Sequence, residues 1–195
     1  MSMQGVVMAG GLSTRMGQDK AGLAVMAGMP DMLERTASLL ARHTDGVLVS
    51  ARAGRRTRYR LIPDAVEGLG PLGGLLSVMR AVREPLLVLS CDLPFMDDAT
   101  LETLLAVRAA REPRQVMTAF REQESGRVEP LVAIYEPACL RWLEDALRRG
   151  ERRLGRIVPP ELACFIPYAV TESLPFFNMN RPEDVALARR LMASG

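Results

Sequence analysis

The run Leu86-Leu87-Val88-Leu89-Ser90 restricts the fold of this chain more than any other segment. It shows no polar alternation, opens after Pro85 and stops at Cys91-Asp92-Leu93-Pro94. Such a strand must be covered on both faces, which is the situation of a central strand in a parallel sheet packed between helices. Gly5-Val6-Val7-Met8-Ala9 is a second short apolar run, and the Gly10-Gly11 that follows turns the chain. Residues 31–42 carry Met32, Leu33, Thr36, Leu39 and Leu40 at helical spacing behind Asp31, a good helix cap. Gly46–Ser50 and Tyr59–Ile62 read as further strands.

Beyond these, the pattern predicts a helix at about 72–82, a helix at 98–110 capped by Asp97 or Asp98, and strands at 115–120 and 129–135. A helix at 137–149, short strands at 163–167 and 176–178, and a final helix at about 181–193 complete it. This alternation implies an α/β fold: a doubly wound, mostly parallel, Rossmann-like sheet in three α/β/α layers. A length of 195 residues suits a single domain over 1–195, with a nucleotide half at about 1–100 and an acceptor half at about 101–195. Ligands of such sheets gather beyond the carboxyl ends of the strands. Segments 8–20, 64 and 91–94 each follow a predicted strand directly.

Composition removes several classes. A net charge of +2 gives no global footprint for nucleic acid, and no window has the apolar length of a membrane span. Arginines cluster at 52–60 and 148–156, as solvated surface or as a field for an anionic substrate. Cys91, Cys139 and Cys164 form no CxxC pair and His43 stands alone, so a zinc site is not expected. An odd cysteine count and an opening without a secretory pattern lead us to expect a cytoplasmic enzyme.

The segment Met8-Ala-Gly-Gly-Leu-Ser-Thr-Arg-Met-Gly-Gln-Asp-Lys20 carries the most chemistry. Gly10 and Gly11 let backbone N–H groups approach an anion, and Arg15 and Lys20 supply positive charge for a triphosphate. The spacing is not that of a Walker A loop, and on the residues alone a tight turn with two surface cations remains open. Farther on, Gly68-Leu-Gly70-Pro-Leu-Gly73 fits G-x-G-x-x-G, with Asp92 after the next strand. That pattern leaves an NAD-dependent oxidoreductase as a rival reading. Asp92, at the end of the most apolar strand, is the candidate ligand for Mg²⁺, which takes one or two carboxylates plus phosphates and water.

The first loop resembles the L-A-G-G-x-S-x-R-M-G-x-D-K signature of the molybdenum cofactor guanylyltransferases and related nucleotidyltransferases, with Met8 in place of Leu. Gly70-Pro-Leu-Gly-Gly-Leu75, Cys91-Asp-Leu-Pro94, Pro130-Leu-Val-Ala-Ile-Tyr135 and Asn178-Met-Asn-Arg-Pro-Glu-Asp184 resemble later family segments in the same order. The resemblance implies GMP transfer from GTP to molybdenum-bound molybdopterin, giving the guanine dinucleotide cofactor and pyrophosphate, with Mg²⁺. It implies nucleotide binding by Met8, Ala9, Gly10, Gly11, Lys20, Asp64, Gly70, Pro71, Leu72, Gly73 and Asp92, beside a wall that includes Gly74. Catalytic roles fall to Lys20, Arg15 and Asp92, with Asp92 as metal ligand.

Asn178, Asn180 and Arg153, with Arg152 beside it, are carried over as acceptor contacts. Asn180 also reads as a helix cap, with Pro182 in the first turn and Glu183 at the capping-box position. Ser50 stands where some relatives have an asparagine. Partner proteins implied are those of molybdenum cofactor synthesis and the molybdoenzymes it serves. A related enzyme using CTP or another small-molecule acceptor, and a non-catalytic nucleotide-binding module, are the other readings.

Overall fold

A computed structural model describes residues 2–10, 20–26, 28–64 and 68–193, with Lys20 described in its backbone only. The strands are β1 (Gln4–Met8), β2 (Gly46–Ala51), β3 (Arg60–Pro63), β4 (Leu86–Ser90), β5 (Met117–Glu122), β6 (Val128–Tyr135) and β7 (Ala163–Tyr168). The helices are α1 (Met32–Ala41), α2 (Pro71–Ala81), α3 (Asp98–Ala110), α4 (Leu140–Arg148) and α5 (Pro182–Ala193).

The strands form one seven-stranded sheet in the order β3-β2-β1-β4-β6-β5-β7. β1 pairs in parallel with β2 and β4, β2 with β3, and β5 with β7. β6 runs against both of its neighbours, β4 and β5. The sheet is therefore mostly parallel, as expected, with one strand reversed in its second half.

Every residue of β4 is buried, as its unbroken apolar run requires. Its alternate residues serve opposite faces. Leu87 and Leu89 pack with Leu33 and Leu40 of α1 and Leu101 and Leu104 of α3. Leu86 and Val88 pack with Leu72, Leu75 and Val78 of α2 and Leu143 of α4. Truncating a fully buried leucine such as Leu87 to alanine in a core of this kind costs about 2–5 kcal/mol. A smaller cluster joins Val185 and Ala188 of α5 to Met32 and Met179, so α5 lies on the α1 side.

Asp31 caps α1 by accepting from the Glu34 N–H at 2.8 Å, and Asp97 caps α3 by accepting from Thr100 at 2.8 Å. Asp98 instead accepts from Arg42 at 2.8 Å and lies 2.8 Å from the ring of His43, tying the start of α3 to the end of α1. Some members of the arginine clusters pair at the surface, Arg58 with Glu34 at 2.9 Å and Arg148 with Asp145 at 3.1 Å.

Three expectations change. Residues 176–178 are not a strand: Leu174–Phe176 is a short 3-10 turn, because Pro175 has no N–H to give a ladder. The helix expected at 137–149 is a 3-10 turn at Pro137–Cys139 followed by α4. The cap of α5 is displaced by one residue. Pro182 is its first residue, so Asp184 rather than Glu183 reaches back, accepting from the N–H groups of Asn180 and Arg181 at 2.8 Å.

Candidate functional site

The chain winds outward from β1 in both directions, so the crevice of the sheet opens beyond the ends of β1 and β4. These strands end side by side, with Met8 paired to both Ser50 and Ser90. The main chain stays laced just beyond them. Ala9 N–H donates to the Ser50 carbonyl at 2.8 Å, and Cys91 N–H to the Met8 carbonyl at 3.2 Å. Gly10, Ser50, Asp64 and Asp92 are thereby delivered to one edge of the sheet.

Asp64, immediately after β3, sits between two glycines. A Cβ on Gly10 would lie 3.0 Å from its Oδ2, and a Cβ on Gly74 would lie 3.0 Å from its Oδ1. At Gly74 the same Cβ would also meet Met8 Cε at 2.9 Å and would collide with Ser50 Oγ. No side chain larger than hydrogen fits there without displacement, so α2 packs against the strand ends through bare backbone. Ser50, fully buried, donates from Oγ to Asp64 Oδ1 at 3.1 Å. Burial raises the Asp64 carboxyl above its ordinary value, and the Ser50 hydrogen bond partly offsets this.

Gly70 stands ahead of α2 with φ of +57°, and Pro71 is the first helical residue. Leu72 is fully buried among Leu75, Val78 and Leu143, so its side chain belongs to the core. The literal G-x-G-x-x-G pattern thus follows the edge strand β3. The dinucleotide fingerprint needs its glycines directly after the central strand, and here Gly10 follows that strand while Gly68–Gly73 do not.

Asp92 lies two residues beyond β4. Its Oδ1 accepts from Ser90 Oγ at 2.5 Å, and its carbonyl accepts from the Met179 N–H at 2.9 Å. That main-chain bond brings Asn178 and Asn180 close to the end of β4. Asn178 donates from Nδ2 to the Phe176 carbonyl at 3.0 Å, and both asparagines line a cavity on the α1 side of the sheet. Arg152 and Arg153 lie elsewhere: Arg152 Nη1 is 3.4 Å from the Gly68 carbonyl, and the adjacent Leu154 packs in the α2–α4 core. The proposed acceptor residues therefore divide between the two faces of the sheet.

Gly11 and Arg15 lie outside the described residues, as does the side chain of Lys20; the Lys20 backbone opens a short turn at Lys20–Gly22. Sequence reasoning missed Ser90 and the packing role of Gly74. Ser90 was visible as the residue two before Asp92, within bonding reach of its carboxylate. The reason for Gly74 depends on α2 crossing the ends of β1 and β2, which no local pattern records. Among the described residues no group of three or more carboxylate, cysteine or histidine side chains is placed to hold a metal. No helix among them is long and apolar enough to cross a membrane.

Residues 5–162 match the family model described as the MobA-like NTP transferase domain. A probable molybdenum cofactor guanylyltransferase of Pelotomaculum thermopropionicum is 30% identical over 95% of this chain and 91% of its own length. The molybdenum cofactor guanylyltransferase of Pseudomonas paraeruginosa is 33% identical over 93% of the chain and 91% of its own. Among solved structures, molybdopterin-guanine dinucleotide biosynthesis protein A from Archaeoglobus fulgidus superposes with a TM-score of 0.76 at 23% identity, over 98% of this chain and 100% of that one. The nucleotidyltransferase reading of the sequence holds: this chain belongs to the MobA-like NTP transferase family.

Proposed function

We propose that this chain transfers GMP from GTP to molybdenum-bound molybdopterin and releases pyrophosphate. The observation that carries this reading is the juxtaposition of β1 and β4, which end in register and hold Gly10 and Asp92 across the opening of one crevice. Curated relatives of comparable length are named for this activity.

In the reaction, a phosphate oxygen of the acceptor attacks the α-phosphorus of GTP. A new P–O bond forms, the α–β anhydride bond breaks and pyrophosphate leaves. The attacking phosphate is already ionised at neutral pH, so no strong general base and no covalent protein intermediate are needed. Alignment and charge stabilisation supply the catalysis. The amides after β1 cradle the phosphates, and Lys20 and Arg15 take up charge on the departing pyrophosphate. Gly70, Pro71 and Gly73 border the nucleoside by main chain, and Asp64 contacts it from the floor between Gly10 and Gly74. Asn178 and Asn180 meet the acceptor on the α1 side of the sheet, while Arg153, on the α2–α4 side, stands apart from that contact.

The donor set suits Mg²⁺. Asp92 offers hard carboxylate oxygen at the crevice, already oriented by Ser90, and the ion asks for only one or two such groups when phosphates and water complete its shell. Mg²⁺, when bound with the nucleotide, neutralises phosphate charge. We place the enzyme in the cytoplasm, passing its product toward molybdoenzymes.

The test is pyrophosphate release with molybdenum-loaded molybdopterin and each of the four nucleoside triphosphates. Release with GTP, giving the guanine dinucleotide, is expected. Preferred use of CTP would reassign the base, and GTP binding without turnover would make the chain a binding module.

A further inference from the structure

The reversed direction of β6 has a chemical result. Because β6 runs against β4 and β5, its first residues lie at the edge where those strands finish. β7 is parallel to β5 and ends there too, with Tyr168 paired to Glu122. The reversal therefore gathers Glu122, Arg127, Glu129 and Tyr168 at the ligand edge of the second half of the sheet.

These four form one cluster. Arg127 Nη2 lies 3.0 Å from Glu129 Oε1 and donates to the Tyr168 hydroxyl at 3.2 Å. Its Nε is 3.8 Å from Glu122 Oε2. Tyr168 donates in turn to Glu129 Oε1 at 2.7 Å. The carboxylates are mostly covered, with 14% and 12% of the Glu122 and Glu129 side chains exposed, while 59% of the Arg127 side chain is open. Tyr168 is fixed from behind by Phe176, ring centroids 4.4 Å apart. Arg127 is thus held by its own neighbours and still offers a face outward.

It offers that face to the cavity of about 440 Å³ that Asn178 and Asn180 also line, and it is the only charged residue lining it among those described. The volume falls in the range of small-molecule sites. The remaining walls include Ser173, Leu174 and Phe177. One guanidinium backed by two carboxylates is a poor trap for a phosphate. Apolar surface, amides, two hydroxyls and a planar guanidinium suit a flat, neutral ring with carbonyl and amino groups on its edge, on which arginine can stack or to which it can donate. The bond from Met179 to the Asp92 carbonyl keeps this wall beside the end of β4.

Resting on the guanylyltransferase reading, we propose that this cavity receives the heterocyclic ring of the acceptor rather than its phosphate. Arg127 is the residue that selects the ring, and Tyr168 and Glu129 position Arg127.

The experiment measures acceptor KM at saturating GTP, GTP affinity by direct titration, and inhibition by 6-hydroxymethylpterin, a ring without phosphate. Arg127→Ala is expected to raise acceptor KM about 10-fold, the equivalent of one good contact, with GTP affinity unchanged. The pterin should compete with the acceptor in the wild type and lose potency at least about 5-fold in the variant. Arg127→Lys keeps the charge without the planar group and should rescue little. Tyr168→Phe should raise acceptor KM by a smaller factor and leave kcat in place. Unchanged acceptor KM in Arg127→Ala, equal pterin potency in both proteins, or full rescue by lysine would overturn the assignment. Absence of GTP-dependent transfer in the wild type would instead overturn the guanylyltransferase reading.

Discussion

Ser50 Oγ and Asp64 Oδ1, at the ends of adjacent strands, are joined by a 3.1 Å hydrogen bond beneath the backbone of Gly74. Alanine at 74 would gain helix propensity of up to about 1 kcal/mol, yet its Cβ would strike Ser50 and crowd Met8 and Asp64. Gly74→Ala is therefore expected to destabilise the fold by about 1–3 kcal/mol through overpacking and to raise the nucleotide KM. Adding Ser50→Ala should restore part of the stability, because it removes the nearest obstruction. Chemical denaturation of the single and double variants measures both effects.

Asp64 carries its charge at a cost, since burial raises its carboxyl above the ordinary value. A carboxyl raised by folding favours the folded state when protonated, and this contribution is lost as pH rises through the raised value. Asp64→Asn is expected to keep or slightly raise thermal stability at pH 7, by up to about 2 °C, while lowering nucleotide affinity. The gain should shrink as pH falls toward the ordinary carboxylate range. Melting curves across pH, beside nucleotide titrations, check the sign.

Asp92 and Lys20 should separate by readout. Asp92→Asn is expected to remove Mg²⁺-dependent turnover at every concentration of the ion, and a normal Mg²⁺ titration would assign the metal to another residue. Lys20→Ala is expected to lower kcat by roughly 10²-fold, the scale of one lost donor to developing charge. A wild-type rate in that variant would remove Lys20 from catalysis.

Asp98 is expected to matter for stability alone. Its hydrogen bonds with Arg42 and His43 lower its carboxyl to about 2. A depressed carboxylate stabilises the fold above the ordinary range and loses that contribution as pH drops through the depressed value. Asp98→Asn should lower Tm by about 1–3 °C at pH 7, a modest amount because the pair is solvated. The difference should close between pH ~4 and ~2, with transferase activity at neutral pH unchanged.

The strand at 86–90 and the helix behind Asp31 were legible because each depends on a local period or a capping requirement. The direction of β6 was not, since an apolar strand carries no mark of polarity along its length. Arg127 and Tyr168, 41 residues apart, are brought together through β5, which pairs with both β6 and β7, and their hydrogen bond had no signal in either segment. The extra strand expected at 176–178 gave way to Pro175, while the missed register of the α5 cap turned on Pro182 being the first helical residue.

The seam between β4 and β6 also bears on how the molecule can be divided. A chain cut near residue 110 would keep Gly10 and Asp92 but expose the hydrogen-bonding edge of β4 that now pairs with residues 132–135. It would also strip Ala133, Tyr135 and Leu143 from the layer that supports α2. Such a fragment would present an apolar, unsatisfied strand to its own copies and would aggregate sooner than bind nucleotide. The end of the sheet that carries Gly10 and Asp92 therefore inherits its rigidity from the far strands, and the two halves of the fold stand or melt together.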